Sequence, residues 1–406
     1  MDDSRSDSPL SRSLLLSLYL PSLLLSICNG LLIPVLPVFA TGLDVPYVLV
    51  GLILAGESIG MLLADLPAGL AISRLGRKRS MLLGLFVVAF SVLALAFTQA
   101  ALTVVLLRLL AGAGAALFNI SRHVYMAHEL SARSRGRATA LFGGTNRLGF
   151  LVGPVLGGYI AGAVSLGSTF IVYGALALAT LLLCWLFVEG RAAADRSVRA
   201  PLPEHGSTRM LRDTLRSGGR VLIPAGLGQL CAQAIRMGRQ VLIPLYAADV
   251  LGLPVEAVGV IVGFASALDF ALFYLAGIIM DRYGRKWAIV PSFLIQAVSL
   301  LLLPLSSDFS SLLLVAAVGG LGNGIGSGTM LTLGIDLAPR GYQGEFLGLW
   351  RLIGDFGSTA GPLLVGGLAQ ALGLPGSAVV VAFIGAGGSL LFARFVPETL
   401  QRGRTA

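Results

Sequence analysis

Residues 74–78 read Arg-Leu-Gly-Arg-Lys, and residues 282–286 read Arg-Tyr-Gly-Arg-Lys, 208 positions later. The same offset pairs Gly51 with Gly259, Gly69 with Gly277, and Gly112 and Gly114 with Gly320 and Gly322. It also pairs Gly149, Gly153, Pro154 and Gly158 with Gly357, Gly361, Pro362 and Gly366. One register holding over four segments of each half marks the chain as a tandem repeat. Each basic pentad is short and lies between long apolar runs.

Working outward, those runs fall near 14–40, 48–72, 80–98, 101–126, 138–161 and 169–188, then near 221–247, 255–280, 287–305, 311–337, 346–370 and 377–395. A helix needs about 20 apolar residues to cross a bilayer, so the expectation is twelve membrane-spanning helices, six in each half. Composition agrees. Of 406 residues, 56% are apolar and 12% are charged, against roughly 25% charged in a soluble domain, and mean hydropathy is +0.87. A soluble enzyme, a disordered chain and a secreted disulfide scaffold are excluded. The reading by domain is a tail (1–13), a six-helix bundle (14–188), an Arg-rich linker (189–220), a second bundle (221–395) and a tail (396–406). Six spans restore the starting orientation, so the halves are parallel repeats, the arrangement of alternating-access transporters with a site near the midplane.

The net charge of +9 is topological and does not call for nucleic acid. Arg74, Arg77, Lys78 and Arg79, then Arg133, Arg135 and Arg137, then seven arginines of the linker, then Arg282, Arg285 and Lys286 all fall on one side. The opposite loops hold no Lys or Arg, only Asp44, Asp249 and Asp308. The positive-inside rule therefore places both termini and the linker in the cytoplasm. Met1–Ser13, with three Asp and two Arg, does not read as a signal peptide. Cys28, Cys184 and Cys231 lie in separate runs, and His123, His128 and His205 are scattered, so neither a disulfide nor a metal site is expected.

Ionisable groups inside a bilayer are costly and mark function or pairing. Here they are Glu57, Asp65, Arg108, Arg147, Arg236, Arg239, Asp269, Arg351 and Asp355. Span 7 carries Gln229, Gln233, Arg236 and Gln240 on one helical face, which suits the wall of a wet cavity and a substrate with anionic or hydrogen-bond-accepting groups. Asn29 and Asn323 add amides from spans 1 and 10. Gly149, Gly153 and Gly157 recur every fourth residue and make a smooth face for close helix contact, bent by Pro154.

These motifs resemble those of the major facilitator superfamily over essentially the whole chain. Gly69-Leu-Ala-Ile-Ser73-Arg74-Leu-Gly76-Arg77-Lys-Arg79 is similar to its motif A, and Gly277-Ile-Ile-Met-Asp281-Arg282-Tyr-Gly284-Arg285-Lys286 is a fuller match. In the first copy Ser73 replaces the motif's Asp. Arg108-Leu-Leu-Ala-Gly112-Ala-Gly114 is similar to motif B, and Gly149 to Gly158 to motif C, which in this family marks exporters, chiefly drug:proton antiporters. Many such antiporters carry an acid in span 1; this chain carries only Asn29 there.

The resemblance implies that motif C seals the interface between bundles and that Arg108 acts in proton transfer or positions a carboxylate, with Glu57 at compatible depth. It also implies that span 2 packs on span 11 and span 5 on span 8. At ~1.5 Å per residue, Asp65 and Arg351 lie ~11 and ~8 Å from the cytoplasmic end, and Arg147 and Asp269 ~14 and ~17 Å. Asp65–Arg351 and Asp269–Arg147 are thus candidate gate pairs, with pairing inside one bundle and substrate contact as the other readings. Glu57, Asp269 and Arg108 are the proton-coupling candidates. The functional expectation is a proton-coupled exporter of small organic molecules such as drugs, in a bacterial inner membrane. It needs no cofactor beyond the proton gradient, and its partners are substrate, protons and membrane lipids, as a monomer. An exporter or facilitator of a polar or anionic metabolite, sugar or lipid-linked compound is the alternative within transport. A non-transporting membrane sensor is the alternative outside it. No nucleotide-binding or enzyme motif is present.

Overall fold

A computed structural model describes residues 14–129, 135–188, 206–339 and 342–400. The tail 1–13, the loop at Arg133, the linker through residue 205 and residues 401–406 lie outside the described residues. The described chain is helical: α1 (Leu15–Thr41), α2 (Tyr47–Leu75), α3 (Arg77–Leu95), α4 (Ala101–Glu129), α5 (Arg135–Ala163), α6 (Leu166–Phe187), α7 (Gly206–Leu245), α8 (Val255–Arg282), α9 (Arg285–Leu302), α10 (Phe309–Ile325), α11 (Thr329–Leu337) and α12 (Gln343–Phe395). Among the described residues, nine helical segments are long and apolar enough to cross a membrane, with α10–α11 taken as one.

The chain divides into two compact units. The first holds Met1–Val45, Leu52–Ala200 and Pro254–Gly263; the second holds Pro46–Gly51, Pro201–Leu253 and Phe264–Ala406. In the first, α1 packs on α5 and α6, and α3 on α4 and α6; in the second, α12 packs on α7 and α9, and α9 on α10. With lipid tails as apolar as leucine, such contacts depend on backbones coming close. Glycines make this possible at equivalent places. A Cβ on Gly153 would lie 2.6 Å from Gly30 Cα, and one on Gly361 3.0 Å from Gly238 N. A Cβ on Gly112 would meet the Glu57 carbonyl at 2.0 Å, and one on Gly320 the Ala265 carbonyl at 2.3 Å. Both sets keep the offset of 208, so the repeat read from the sequence is a repeat of helix crossings.

The basic pentads turn the chain between α2 and α3 and between α8 and α9. Lys78 Nζ donates to the Trp185 carbonyl at 2.8 Å, and Lys286 Nζ to the Ala393 carbonyl at 2.7 Å. Each thus satisfies an end-of-helix carbonyl, again 208 residues apart. Arg285 contacts Asp336 at 2.9 Å and Asp281 at 3.6 Å and donates to the Met280 carbonyl. Glu398 accepts from the backbone N–H groups of Arg285 and Lys286, at the start of α9. Burial pushes the Glu398 carboxyl up, but backbone N–H donors from Leu400, Arg285, Lys286 and Thr399 outweigh it and hold the group below the usual glutamate value. In the first copy Ser73 donates to the Leu70 carbonyl of its own helix, and Arg77 is buried with its guanidinium 5.4 Å from the Tyr125 ring.

Three stretches differ from the apolar-run reading. The run 311–337 is not one helix. It breaks at Gly326–Gly328, where Gly328 takes φ +75°. The loop expected near 371–376 narrows to one non-helical residue, Gly373 at φ +72°, inside Gln343–Phe395. Helix α7 begins at Gly206, well before the apolar part of its sequence. Hydropathy marks where a helix meets lipid, and a helix continues past that point wherever its backbone stays bonded.

Candidate functional site

Within the first unit, residues of α1 through α6 line an open cavity of about 170 Å³. Its chemistry begins at a helix crossing. Gly56 and Gly112 bring α2 and α4 so close that a Cβ on Gly56 would lie 2.8 Å from Arg108 Cβ. At this distance Arg108 Nη2 reaches Glu57 Oε2 at 2.7 Å. The Arg108 side chain is 6% exposed and that of Glu57 22%. The arginine is sealed in the bundle and the carboxylate borders the cavity. The equivalent crossing of the second half carries Ala265 and Ala316. Backbone geometry is duplicated; the ion pair is not.

Around the pair lies a polar shell. Tyr173 on α6, 2% exposed, donates its hydroxyl to Asn29 Oδ1 at 3.2 Å, and the Cys28 thiol donates to the Tyr173 carbonyl at 3.8 Å. Ser26 Oγ and Asn146 Oδ1 are 2.5 Å apart. Arg122 on α4 also lines the cavity, its guanidinium 5.2 Å from the Phe118 ring and 4.4 Å from that of Phe142.

The second unit gathers a different set at the α10–α11 break. Asp269 accepts from Asn323 Nδ2 at 3.0 Å and from Ser327 Oγ at 3.2 Å. Arg236 donates to the Gly326 carbonyl at 2.9 Å and lies 5.2 Å from the Phe293 ring. Arg239, 7% exposed, is within electrostatic reach of Asp269. Non-helical backbone inside a membrane is tolerated where protein buries it or where it lines a cavity, and here Arg236 and Thr329 satisfy the freed carbonyl.

The residues expected from sequence are thus distributed as follows. Glu57 and Arg108 are brought together, as are Asp269 and Asn323. Asn29 faces the first-unit cavity. On α7, Gln229 is 3% exposed, and a Cβ on Gly354 would meet its Nε2 at 2.7 Å and that of Gln233 at 3.6 Å, so these amides pack toward α12. Gln240 is half-buried. Arg351 lies 3.6 Å from Asp355, one turn along α12. Asp65 and Arg147 sit on α2 and α5 of the first unit. Motif C packs on α1: a Cβ on Gly149 would lie 2.3 Å from Ser26 Cβ, one on Gly157 2.3 Å from the Leu31 carbonyl, and one on Gly30 3.2 Å from Pro154. The sequence reading missed Arg122, Asn146, Tyr173, Ser26 and Ser327. Arg122 was within reach, because it is an ion inside the run 101–126. Tyr173 and the serines had no such signal, since single hydroxyls are common in membrane helices.

Comparison with known proteins gives the family. A model described as Major Facilitator Superfamily matches residues 18–268 and 225–405. The multidrug efflux pump Tap of Mycolicibacterium fortuitum is 29% identical over 338 residues, covering 78% of this chain and 80% of its own. An uncharacterised MFS-type transporter of Methanocaldococcus jannaschii is 22% identical over 345 residues, covering 85% and 88%. The crystal structure of a D-xylose-proton symporter matches with a TM-score of 0.75 at 19% identity, over 95% of this chain and 98% of that one, a likeness of fold alone. The duplicated helix crossings, the paired basic turns and the whole-chain family match make one statement: this chain is an integral, multi-pass membrane transporter, not an enzyme, and belongs to the major facilitator superfamily.

Proposed function

We propose that the protein is a proton-coupled exporter of small organic molecules, working by alternating access in a bacterial cytoplasmic membrane with both termini in the cytoplasm. The observation that carries the proposal is the Glu57–Arg108 contact of 2.7 Å at the edge of a cavity. A carboxylate that is ion-paired in one state and protonated in another couples a proton to conformation, because its two forms interact differently with the adjacent guanidinium. Arg108 is buried and paired with Glu57; protonation of the carboxyl from the cavity side would break the pair and leave Arg108 to seek another partner. The relation to the multidrug efflux pump Tap and the motif C glycines support export. Asp269, held by Asn323 and Ser327, is the competing coupling residue. No cofactor is called for, and the proton gradient supplies the energy.

The experiment is transport by purified protein in proteoliposomes with an imposed pH gradient and an interior pH dye, screening lipophilic cations beside anionic and sugar-like compounds. Substrate-triggered proton movement that is lost in Glu57→Gln and kept in Asp269→Asn supports the proposal. Loss in Asp269→Asn alone moves coupling to the second unit. Substrate flux without proton movement in the wild type overturns coupling altogether.

A further inference from the structure

We propose that the first-unit cavity recognises a neutral ring lactam or imide, taking its carbonyl oxygen on the Asn29 amide and its N–H on the second carboxylate oxygen of Glu57. This names a substrate class for the exporter proposed above and rests on that reading.

Three observations lead to it. The first is a donor of fixed polarity. Asn29 lines the cavity from α1 and is exposed there. Tyr173 is 2% exposed, and its hydroxyl donates to Asn29 Oδ1 at 3.2 Å. A buried hydroxyl needs an acceptor, so the amide is held with its oxygen toward α6, and its NH₂ group is left for a ligand. The second is an acceptor beside it. Arg108 engages Glu57 Oε2 at 2.7 Å, and the Glu57 side chain, 22% exposed, borders the cavity. Oε1 is therefore the oxygen that a ligand reaches. Glu57 also lies within electrostatic reach of Tyr173, so donor and acceptor converge on one side of the cavity. Arg108 answers the charge of Glu57, and a neutral N–H bonds to the carboxylate without carrying a further charge out of water. The N–H and C=O of a ring lactam stand side by side and match this pair. A carboxylate would set like charge against Oε1, and a quaternary cation has no N–H to give. The third is shape. Leu25, Met61, Leu85, Val88, Phe118 and Phe150 supply apolar lining to the open cavity, about 170 Å³ in volume. Roughly 150 Å³ holds benzene, so the lactam ring fits inside and a fused ring projects to the mouth. No ligand contact is assigned to Arg122, which is already engaged.

The test is equilibrium dialysis of the purified protein with the same detergent on both sides and no proton gradient, so that failure of coupling and failure of this inference are separate results. Four probes of one shape are compared: 1-isoquinolone, its N-methyl derivative, 1-methoxyisoquinoline and the permanent cation 2-methylisoquinolinium. The lactam should bind tightest. N-methylation removes a hydrogen bond to a charged acceptor and should weaken binding about tenfold. The methoxy ring, with neither N–H nor carbonyl, should be weaker still, and the cation no tighter than the methoxy ring. Glu57→Gln lowers lactam affinity and shrinks its preference over the N-methyl form to about threefold or less. Asn29→Leu weakens lactam and N-methyl form alike by about fivefold; it leaves the methoxy ring within about twofold, which reports that the cavity has kept its shape. Tightest binding of the cation, equal binding of all four, no binding of any, or a lactam affinity unchanged in Glu57→Gln or in Asn29→Leu each overturns the inference.

Discussion

Truncating the two members of the Glu57–Arg108 pair should not cost the same, and removing both should cost less than removing the acid. In Glu57→Ala the guanidinium, 6% exposed, loses its counter-charge inside the bundle, and breaking a buried pair from one side costs about 3–5 kcal/mol. In Arg108→Ala the carboxylate left behind is 22% exposed on the cavity wall; it can hydrate or take up a proton, so the loss falls to about 1–3 kcal/mol. The double variant recreates the crossing of the second half, where Ala265 and Ala316 occupy the equivalent positions and the Gly320–Ala265 approach is kept. Its stability should exceed that of Glu57→Ala alone, with a coupling of about 2 kcal/mol or more. The assay is reversible unfolding in mixed micelles with increasing denaturing detergent, read for the wild type and all three variants. Strict additivity of the two single losses would refute the idea that the pair acts as a unit.

The same contacts give further expectations. Gly112→Val places side-chain atoms where a Cβ alone would meet the Glu57 carbonyl at 2.0 Å; overpacking of this kind costs about 1–3 kcal/mol, and a thermal-shift comparison with the equivalent Gly320→Val should show losses of similar size. Gly328→Ala forces a side chain to φ +75°, at a cost of about 1–2 kcal/mol, and reduced unfolding midpoints in detergent would register it. The Glu398 carboxyl is held below its unfolded value, so it favours the folded state above the unfolded pKa and loses that contribution as pH falls through the lowered folded pKa. Protection of the Arg285 and Lys286 amides, followed by hydrogen exchange, should fall with acid in the wild type. It should be low and flat with pH in Glu398→Gln.

The duplication was the most legible feature of the chain, because it is written in glycines and a basic turn, and these residue types are fixed by backbone approach and by helix-end carbonyls. Gly112 and Gly320 meet equivalent carbonyls, and Lys78 and Lys286 cap equivalent helix ends. The ions within the apolar runs were legible as a set, but their partners were less so. Arg108 could be matched to Glu57 by depth, and Asp269 joined its amide partner Asn323 at a break that hydropathy could not reveal. That break is made by Gly326 and Gly328 in a segment whose apolar content is continuous. The clustering of Asn29, Tyr173 and Arg122 depends on the rotation of three helices about their own axes, a quantity the span pattern leaves open. Arg77 rests against Tyr125 in the first copy, and Arg285 contacts Asp281 and Asp336 in the second.

In the proposed mechanism Glu57 carries the coupled proton. Separating exchange from accumulation isolates that role. Proteoliposomes holding wild type or Glu57→Gln are loaded with any compound that the wild type carries, and equal-pH counterflow is measured beside pH-driven accumulation. Glu57→Gln should keep counterflow and lose accumulation, since the cavity survives while the proton no longer changes its charge. Accumulation by Glu57→Gln at the wild-type level would contradict it.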